Sequence, residues 1–288
     1  MYGEAVALGA GTVLNALATG VGSAFAIDAE TTARVELDDS GTVDGEIAGA
    51  PDGDTRLICR CVERVVERFG DGQGGSVRTE SDVPMAAGLK SSSAAANATV
   101  LATLSALDVP VGEEGELDRE AACRIGVAAA RDAGVTVTGA FDDASASMLG
   151  GVTVTDNDRD DLLVRDAVDW DALVWTPPVQ AFSADADVER CERVAPMARL
   201  VEDLALDGRY GEAMTVNGLA YSAALGFPTD PAVEAMPHAV GVSLSGTGPS
   251  VVAVGDREAL QRVRDDWTQR EGDTWLTTTR TDGAQVIV

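Results

Sequence analysis

Pro84-Met85-Ala86-Ala87-Gly88-Leu89-Lys90-Ser91-Ser92-Ser93-Ala94-Ala95-Ala96-Asn97 is the most informative stretch of this 288-residue chain. A proline and a glycine shape a loop, three serines open a helix, and the helix begins with very small side chains. The first amides of a helix have no intrahelical partner and lie at the positive end of its dipole, so such a start is an anion site. Alanine and serine let a phosphate come close to the backbone, and Lys90 adds a compact positive charge there. The loop is not a Walker A motif, which needs Gly directly before its Lys, where this chain has Leu89. The bland alternative is a Ser-rich helix cap that binds nothing. Against it stands the fact that Lys90 is the only lysine of the chain.

That single lysine belongs to an extreme charge balance. The chain carries 48 Asp and Glu against 21 Lys and Arg, a formal net charge of -27. No basic stripe is present to neutralise a phosphate backbone, which argues against nucleic-acid binding. One histidine, His238, argues against a histidine zinc site or a Ser-His-Asp triad and reads as a surface or packing residue. Acid excess with lysine depletion fits a protein working in concentrated salt, where surface self-repulsion is screened. With 45% hydrophobic residues the chain can build a sizeable core. No apolar run approaches membrane-spanning length, and the first residues lack a basic region followed by an apolar one, so the expectation is a soluble, cytoplasmic protein without a membrane partner. Cys59-x-Cys61 is too tight for a metal knuckle; together with Cys123 and Cys191 it reads as reduced, mostly buried thiol.

Outward from the loop, strands are expected at 5–8, 33–37 and 76–79, and helices at 55–69, 91–107 and 117–133. The helix over 55–69 is the clearest, with Leu57, Ile58, Cys61, Val62, Val65, Val66 and Phe69 on one face. A strand at 152–155 runs into Asp156-Asn157-Asp158-Arg159-Asp160-Asp161, an acidic, turn-rich segment that reads as the domain boundary. The division is therefore 1–155 and 156–288. In the second part, strands are expected at 172–175, 241–244 and 250–254, and helices at 184–206, 210–224 and 257–269. Strands and helices mix without strict alternation, which predicts an α+β fold in two lobes.

The phosphate-loop stretch resembles the second motif of the GHMP small-molecule kinases, P-x-x-x-G-L-x-S-S-[SA]-A, which cradles the phosphates of ATP. With Lys90 after Gly88-Leu89, it looks most like the archaeal-type shikimate kinases. Gly9-Ala10-Gly11-Thr12-Val13-Leu14-Asn15-Ala16, with Ala18-Thr19-Gly20, is similar to the first, substrate-side motif. Ser245-Gly246-Thr247-Gly248-Pro249-Ser250 resembles the third, glycine-rich motif; by itself it reads equally well as a tight turn. The three occur in the family's order over nearly the whole chain. The resemblance implies an N-terminal α/β lobe with a C-terminal ferredoxin-like lobe, ATP and Mg2+ as cofactors, and shikimate as the small-molecule partner; it also allows a homodimer. It places ATP on Pro84, Gly88, Leu89, Lys90, Ser91, Ser92, Ser93 and Ala94, and substrate on Asn15, Thr19, Asp143, Ser245, Gly246, Thr247 and Gly248. Mg2+ falls to Ser92 and to Asp132, eleven residues before Asp143, where related kinases often place a metal-binding Glu. Read without the resemblance, Asp132 is an exposed acid on a helix surface.

Asp142-Asp143, set among small and apolar residues, is the acid–base candidate. In related kinases with an aspartate base, that Asp stands four residues before a Ser and seven before Gly-Gly. Asp143 satisfies both spacings, with Ser147 and Gly150-Gly151, and Asp142 neither. Asp143 and Lys90 are thus the expected catalytic pair, with Asp142 a supporting or metal-side group; a paired Asp at a helix N-cap is the structural alternative. The implied reaction is transfer of the γ-phosphoryl of ATP to the 3-hydroxyl of shikimate, whose carboxylate calls for at least one unspecified arginine. Competing readings are another kinase of the superfamily acting on homoserine or mevalonate, a Ser/Lys hydrolase in which Lys90 activates Ser92 or Ser93, and a non-catalytic sugar-binding protein.

Overall fold

The computed structural model describes residues 1–112, 115–181 and 185–288. Two long strands, β1 (Tyr2–Leu14) and β2 (Val21–Asp38), pair antiparallel from Tyr2 with Glu36 to Leu14 with Ser23. Both outrun the short strands expected from sequence, because β1 is punctuated by glycines that read as loop. Those glycines are close-approach points. A Cβ on Gly3 would lie 2.0 Å from the Ala102 carbonyl oxygen, and one on Gly11 would lie 2.4 Å from the Phe25 ring.

The chain continues through β3 (Val43–Ile47), α1 (Arg56–Phe69), β4 (Gly74–Ser81), α2 (Ser91–Ala106), α3 (Arg119–Ala133), α4 (Phe141–Leu149), β5 (Val152–Asp156) and β6 (Asp161–Asp166). It then forms β7 (Asp171–Thr176), α5 (Val188–Glu192), α6 (Ala195–Leu206), α7 (Tyr210–Leu225), α8 (Asp230–Ala235), β8 (Gly241–Leu244), β9 (Val251–Gly255), α9 (Arg257–Trp267), β10 (Asp273–Thr278) and β11 (Gln285–Val286). Among the described residues these strands make a seven-stranded sheet, with β11-β1-β2-β4-β3 in order and β5 and β6 added beside β2. The other sheet is four-stranded, ordered β10-β7-β9-β8 and antiparallel throughout. Numbered along the chain that order is 4-1-3-2, the ferredoxin-like arrangement. The two-lobed α+β expectation is met.

Three details depart from the sequence reading. The acidic segment after β5 is a hairpin inside the first sheet, since β6 pairs back on β5; the expected boundary at 155/156 therefore falls within that hairpin, and β11 also returns to the first sheet. The helix expected over 184–206 is two helices: Pro196 lies in the first turn of α6, where its missing N–H is tolerated, and α5 ends before it. Residue 184 lies outside the described residues. Helix α4 carries the aspartate pair in its first turn, where the sequence offered a helix only through the alternative of a paired Asp at an N-cap.

Packing explains how the lobes hold the site still. Helices α1 to α4 build one core against the first sheet, and α2, rich in Ala, is buried from Ala94 almost to Ala106. A second core joins the lobes, bringing Val13, Phe25, Ile27 and Val154 of the first onto Val174, Met214 and Val252 of the second. Leu89 belongs to this core and is fully buried. Burying such a side chain contributes about 2 kcal/mol, which anchors the loop before α2 to both lobes. The four cysteines are free thiols, and burial raises those of Cys61 and Cys123 far above their usual range.

Candidate active site

Residues 86–90 form a loop whose backbone alternates through positive φ at Ala86 (52°), Gly88 (79°) and Lys90 (67°). Two of the three are not glycine, a conformation costing roughly 1–3 kcal/mol per residue unless the surroundings enforce it. They do. The Ala86 carbonyl accepts from the Ala181 amide (3.0 Å), Ala87 from the Ser250 amide (3.2 Å) and Leu89 from the Ala10 amide (3.1 Å). Gly88 accepts from the Ser245 hydroxyl (2.8 Å), and the Lys90 carbonyl receives the Ala94 amide (3.0 Å). Five successive carbonyls are thus tied into the protein, which fixes the loop, and the first amides of α2 beyond it have no intrahelical acceptor. Gly88 cannot be replaced without strain, because a Cβ there would sit 2.1 Å from the Ser245 carbonyl oxygen.

The loop and the first turn of α2 open on a cavity of about 750 Å³. Ser91, Ser92, Ser93, Gly88 and Lys90 line it, as do Asn15, Asp143, Gly246 and Thr247. The structure thus brings together residues from all three sequence motifs. The first and third are joined directly: the Asn15 side-chain amide donates to the Gly246 carbonyl (2.8 Å), and the Gly246 amide donates to the Thr12 hydroxyl (2.7 Å). Behind them, Asn217 accepts from the Asn15 backbone amide (2.9 Å) and donates to the Ser243 hydroxyl (2.9 Å).

Lys90 stands at the N-cap of α2 and reaches across to α4. Its Nζ lies 2.7 Å from Asp143 Oδ1, with the lysine side chain 5% and the aspartate 19% exposed. The Lys90 ammonium is thus the charged partner of Oδ1, an oxygen buried at the contact between α2 and α4. Asp143 as a residue lines the cavity, so its carboxylate stands between Lys90 and the open space. Asp142 is 5% exposed and in a different state. Burial, and after it the Asp143 charge, push its carboxyl up from the ordinary range, while Lys90 and the Asn157 amide pull it down.

Other expected positions fall elsewhere. Asp132 is not brought to the site: its Oδ2 accepts from Arg60 Nε (2.7 Å) and Arg64 Nε (2.8 Å), bridging α3 to α1. Those guanidiniums, Arg64 first, hold its carboxyl at about 2. Leu89 and Ala94 point into the cores rather than the cavity, and neither Pro84 nor Thr19 lines it. The Ser245 hydroxyl is spent on Gly88. Gly248 makes room for Phe227, whose ring a Cβ there would approach to 2.6 Å.

Further residues, not expected from the sequence, line the cavity. Residues 134–140, between α3 and α4, line the cavity continuously, and the hydroxyls of Thr136 and Thr138 brace the segment by accepting the amides of Gly139 and Ala140. Two threonines bracketed by Gly134 and Gly139, directly before the aspartate pair, were the available signal. Arg56 lines the α1 side, with its guanidinium on Asp54 (Nη2 to Oδ2, 2.6 Å). Among the described residues, Lys90 and Arg56 are the cations lining the cavity.

An amide-rich loop at a helix start, a buried lysine–aspartate pair and a cavity between a mixed sheet lobe and a ferredoxin-like lobe define a small-molecule kinase. Residues 56–151 match the GHMP kinases N terminal domain, and residues 205–273 the GHMP kinases C terminal domain. The chain is 66% identical over 286 residues to the shikimate kinase of Halobacterium salinarum, covering 99% of each. It is 52% identical over 268 residues to that of Methanococcoides burtonii, covering 92% of this chain and 91% of the other. The fold is shared with the homoserine kinase of Cytophaga hutchinsonii (TM-score 0.76, 18% identity, 99% and 97% covered) and with the Methanococcus jannaschii mevalonate kinase (TM-score 0.74, 13% identity, 97% and 98% covered). The chain belongs to the GHMP kinases and, within them, to the family of the archaeal shikimate kinases.

Proposed function

We propose that the protein transfers the γ-phosphoryl group of ATP to the 3-hydroxyl of shikimate, giving shikimate 3-phosphate and ADP. The observation that carries this reading is the Lys90–Asp143 pair held beside the open amides of α2 in one cavity; the substrate follows the 66% identical relative. The amides of 88–93 receive the phosphates. The Asp143 carboxylate, held by Lys90 at the cavity wall, takes the proton of the substrate hydroxyl as that oxygen attacks the γ-phosphorus. The bond from phosphorus to the ADP oxygen breaks, and Lys90 offsets the charge spread over the transferred group. Positioning and electrostatics carry most of such a reaction.

The residues present fit Mg2+ that arrives with the nucleotide. Among the described residues no three acids, histidines or cysteines are grouped to hold a metal, and Asp132 is committed to two arginines. Ser92 and its neighbours offer hydroxyl oxygens at the phosphate end, and Mg2+ commonly takes few protein ligands besides phosphates and water. When bound, the ion neutralises charge on the β- and γ-phosphates. The two anionic substrates otherwise meet Lys90, the α2 dipole and Arg56. No helix among the described residues is long and apolar enough to cross a membrane, and a cytoplasmic location accompanies this reading.

The test is ADP release by the purified protein in molar KCl with Mg-ATP, offered shikimate, homoserine, mevalonate and galactose in turn. Turnover with shikimate is expected to exceed the others by orders of magnitude. Turnover confined to another alcohol would move the substrate and leave the kinase reading standing; amide hydrolysis without ATP would replace it.

A further inference from the structure

Asn157 lies in the acidic turn that reads as a linker, yet it is 1% exposed and turned toward the first turn of α4. Its Nδ2 donates to Asp142 Oδ1 (2.7 Å), and its Oδ1 accepts from the Asp142 backbone amide (3.1 Å) and from the Thr155 hydroxyl (2.7 Å). The same Nδ2 lies 3.4 Å from the hydroxyl of Thr138 on the cavity wall. Its own backbone is fixed, the amide donating to the Gly20 carbonyl (2.9 Å) and the carbonyl accepting from Arg131 Nη2 (3.2 Å).

Helix α4 needs this partner. Its N-cap is Ala140, at φ 53°, which offers no side-chain cap, so its first amides require an acceptor from elsewhere. Asn157 supplies one from the turn that follows β5. On the opposite side the Asp142 carboxyl packs on Gly22, where a Cβ would lie 2.4 Å from Oδ2. The carboxyl is therefore held between a reciprocal amide partner and a bare backbone, with little room to move.

We propose that Asn157 is a positioning residue for phosphoryl transfer: by clamping both the carboxyl and the amide of Asp142, it fixes the first turn of α4 and so aims Asp143 at Lys90. Asn157 stands behind the wall formed by Thr138 and Asp142 and acts through Asp143. The inference rests on the reading of Asp143 as the base.

Its test compares Asn157→Ala, Asp142→Ala, the double variant, and the exchanged pair Asp142→Asn/Asn157→Asp, with the alcohol that the parent protein turns over. Asn157→Ala is expected to lower kcat at least about tenfold, with both KM values within about twofold. Asp142→Ala should match it, and the double variant should fall no further than either, because one clamp is lost in each case. The exchanged pair re-forms an amide–carboxylate clamp of unchanged charge and should recover most of kcat. Melting in the assay salt reports whether each variant is folded. If Asn157→Ala does not fold, Asn157→Asp carries the test, setting two carboxyls face to face and losing kcat until Asp142→Asn is added. Parent-like kcat in folded Asn157→Ala, a change confined to KM, losses that multiply, or an exchange that restores nothing would each overturn the clamp. Full activity in Asp143→Asn would instead overturn the base beneath it, which keeps the two failures apart.

Discussion

Asp142 and Asp143 are neighbours with opposite surroundings, one buried against Gly22 and Asn157, the other facing the cavity beside Lys90. Asp143→Asn is expected to lower kcat by about 10²-fold or more in the ADP-release assay, the usual contribution of a positioned proton acceptor; near-parent activity would remove it as the base. Asp142 makes a prediction about stability. Its folded-state pKa is raised above the 3.8 of an ordinary aspartate, first by burial. The folded chain therefore keeps a proton that the unfolded chain releases, so this stabilisation is fully present below about pH 3.8 and is lost as pH rises through the elevated value. Asp142→Asn should melt higher than the parent above neutral pH, with the gap closing as pH falls. A gap that widens on acidification would contradict that sign.

At the scale of elements, the loop before α2 and the bridge from α1 to α3 separate function from framework. Position 88 needs glycine for backbone geometry: its φ is 79°, and a Cβ there would meet the Ser245 carbonyl. Gly88→Ala should displace the phosphate loop and raise the KM for ATP at least about tenfold, read from initial rates at saturating alcohol. Asp132 belongs to the framework, holding Arg60 and Arg64. Its carboxyl, lowered from 3.8 to about 2, favours the folded state above the ordinary value, and that contribution is lost as pH falls toward 2. Asp132→Asn should therefore lower Tm near pH 7, by an amount that shrinks between pH 4 and 2, without changing the Mg2+ concentration at half-maximal activity. The helices α1 and α3 were legible because apolar periodicity, and for α3 the Asp118 cap, act over a few residues, and α2 because its serine and alanine run follows the loop directly. The length of β1 was not, since Gly3 and Gly11 are explained only by Ala102 and Phe25, which reach them from elsewhere.

Across the whole molecule, charge dominates. A formal net charge of -27 favours expansion wherever it is unscreened. The Debye length falls from about 10 Å at 0.1 M salt to about 3 Å at 1 M. Tm is therefore expected to climb with KCl over that range, as followed by circular dichroism; a flat or falling profile would show that surface repulsion is not the controlling term. Lys90 escapes this balance because it is buried against its carboxylate, where bulk salt screens little. The acid excess, the α+β class, the loop leading into α2 and the adjacency of the two aspartates could all be read from residue order, because each depends on composition or on neighbours a few positions apart. The commitment of Asp132 to two arginines, the spending of Ser245 on Gly88 and the placing of Asn157 behind the active site could not. Each is a contact between segments far apart or in different elements, and its energy exists only once packing has brought them within hydrogen-bonding distance.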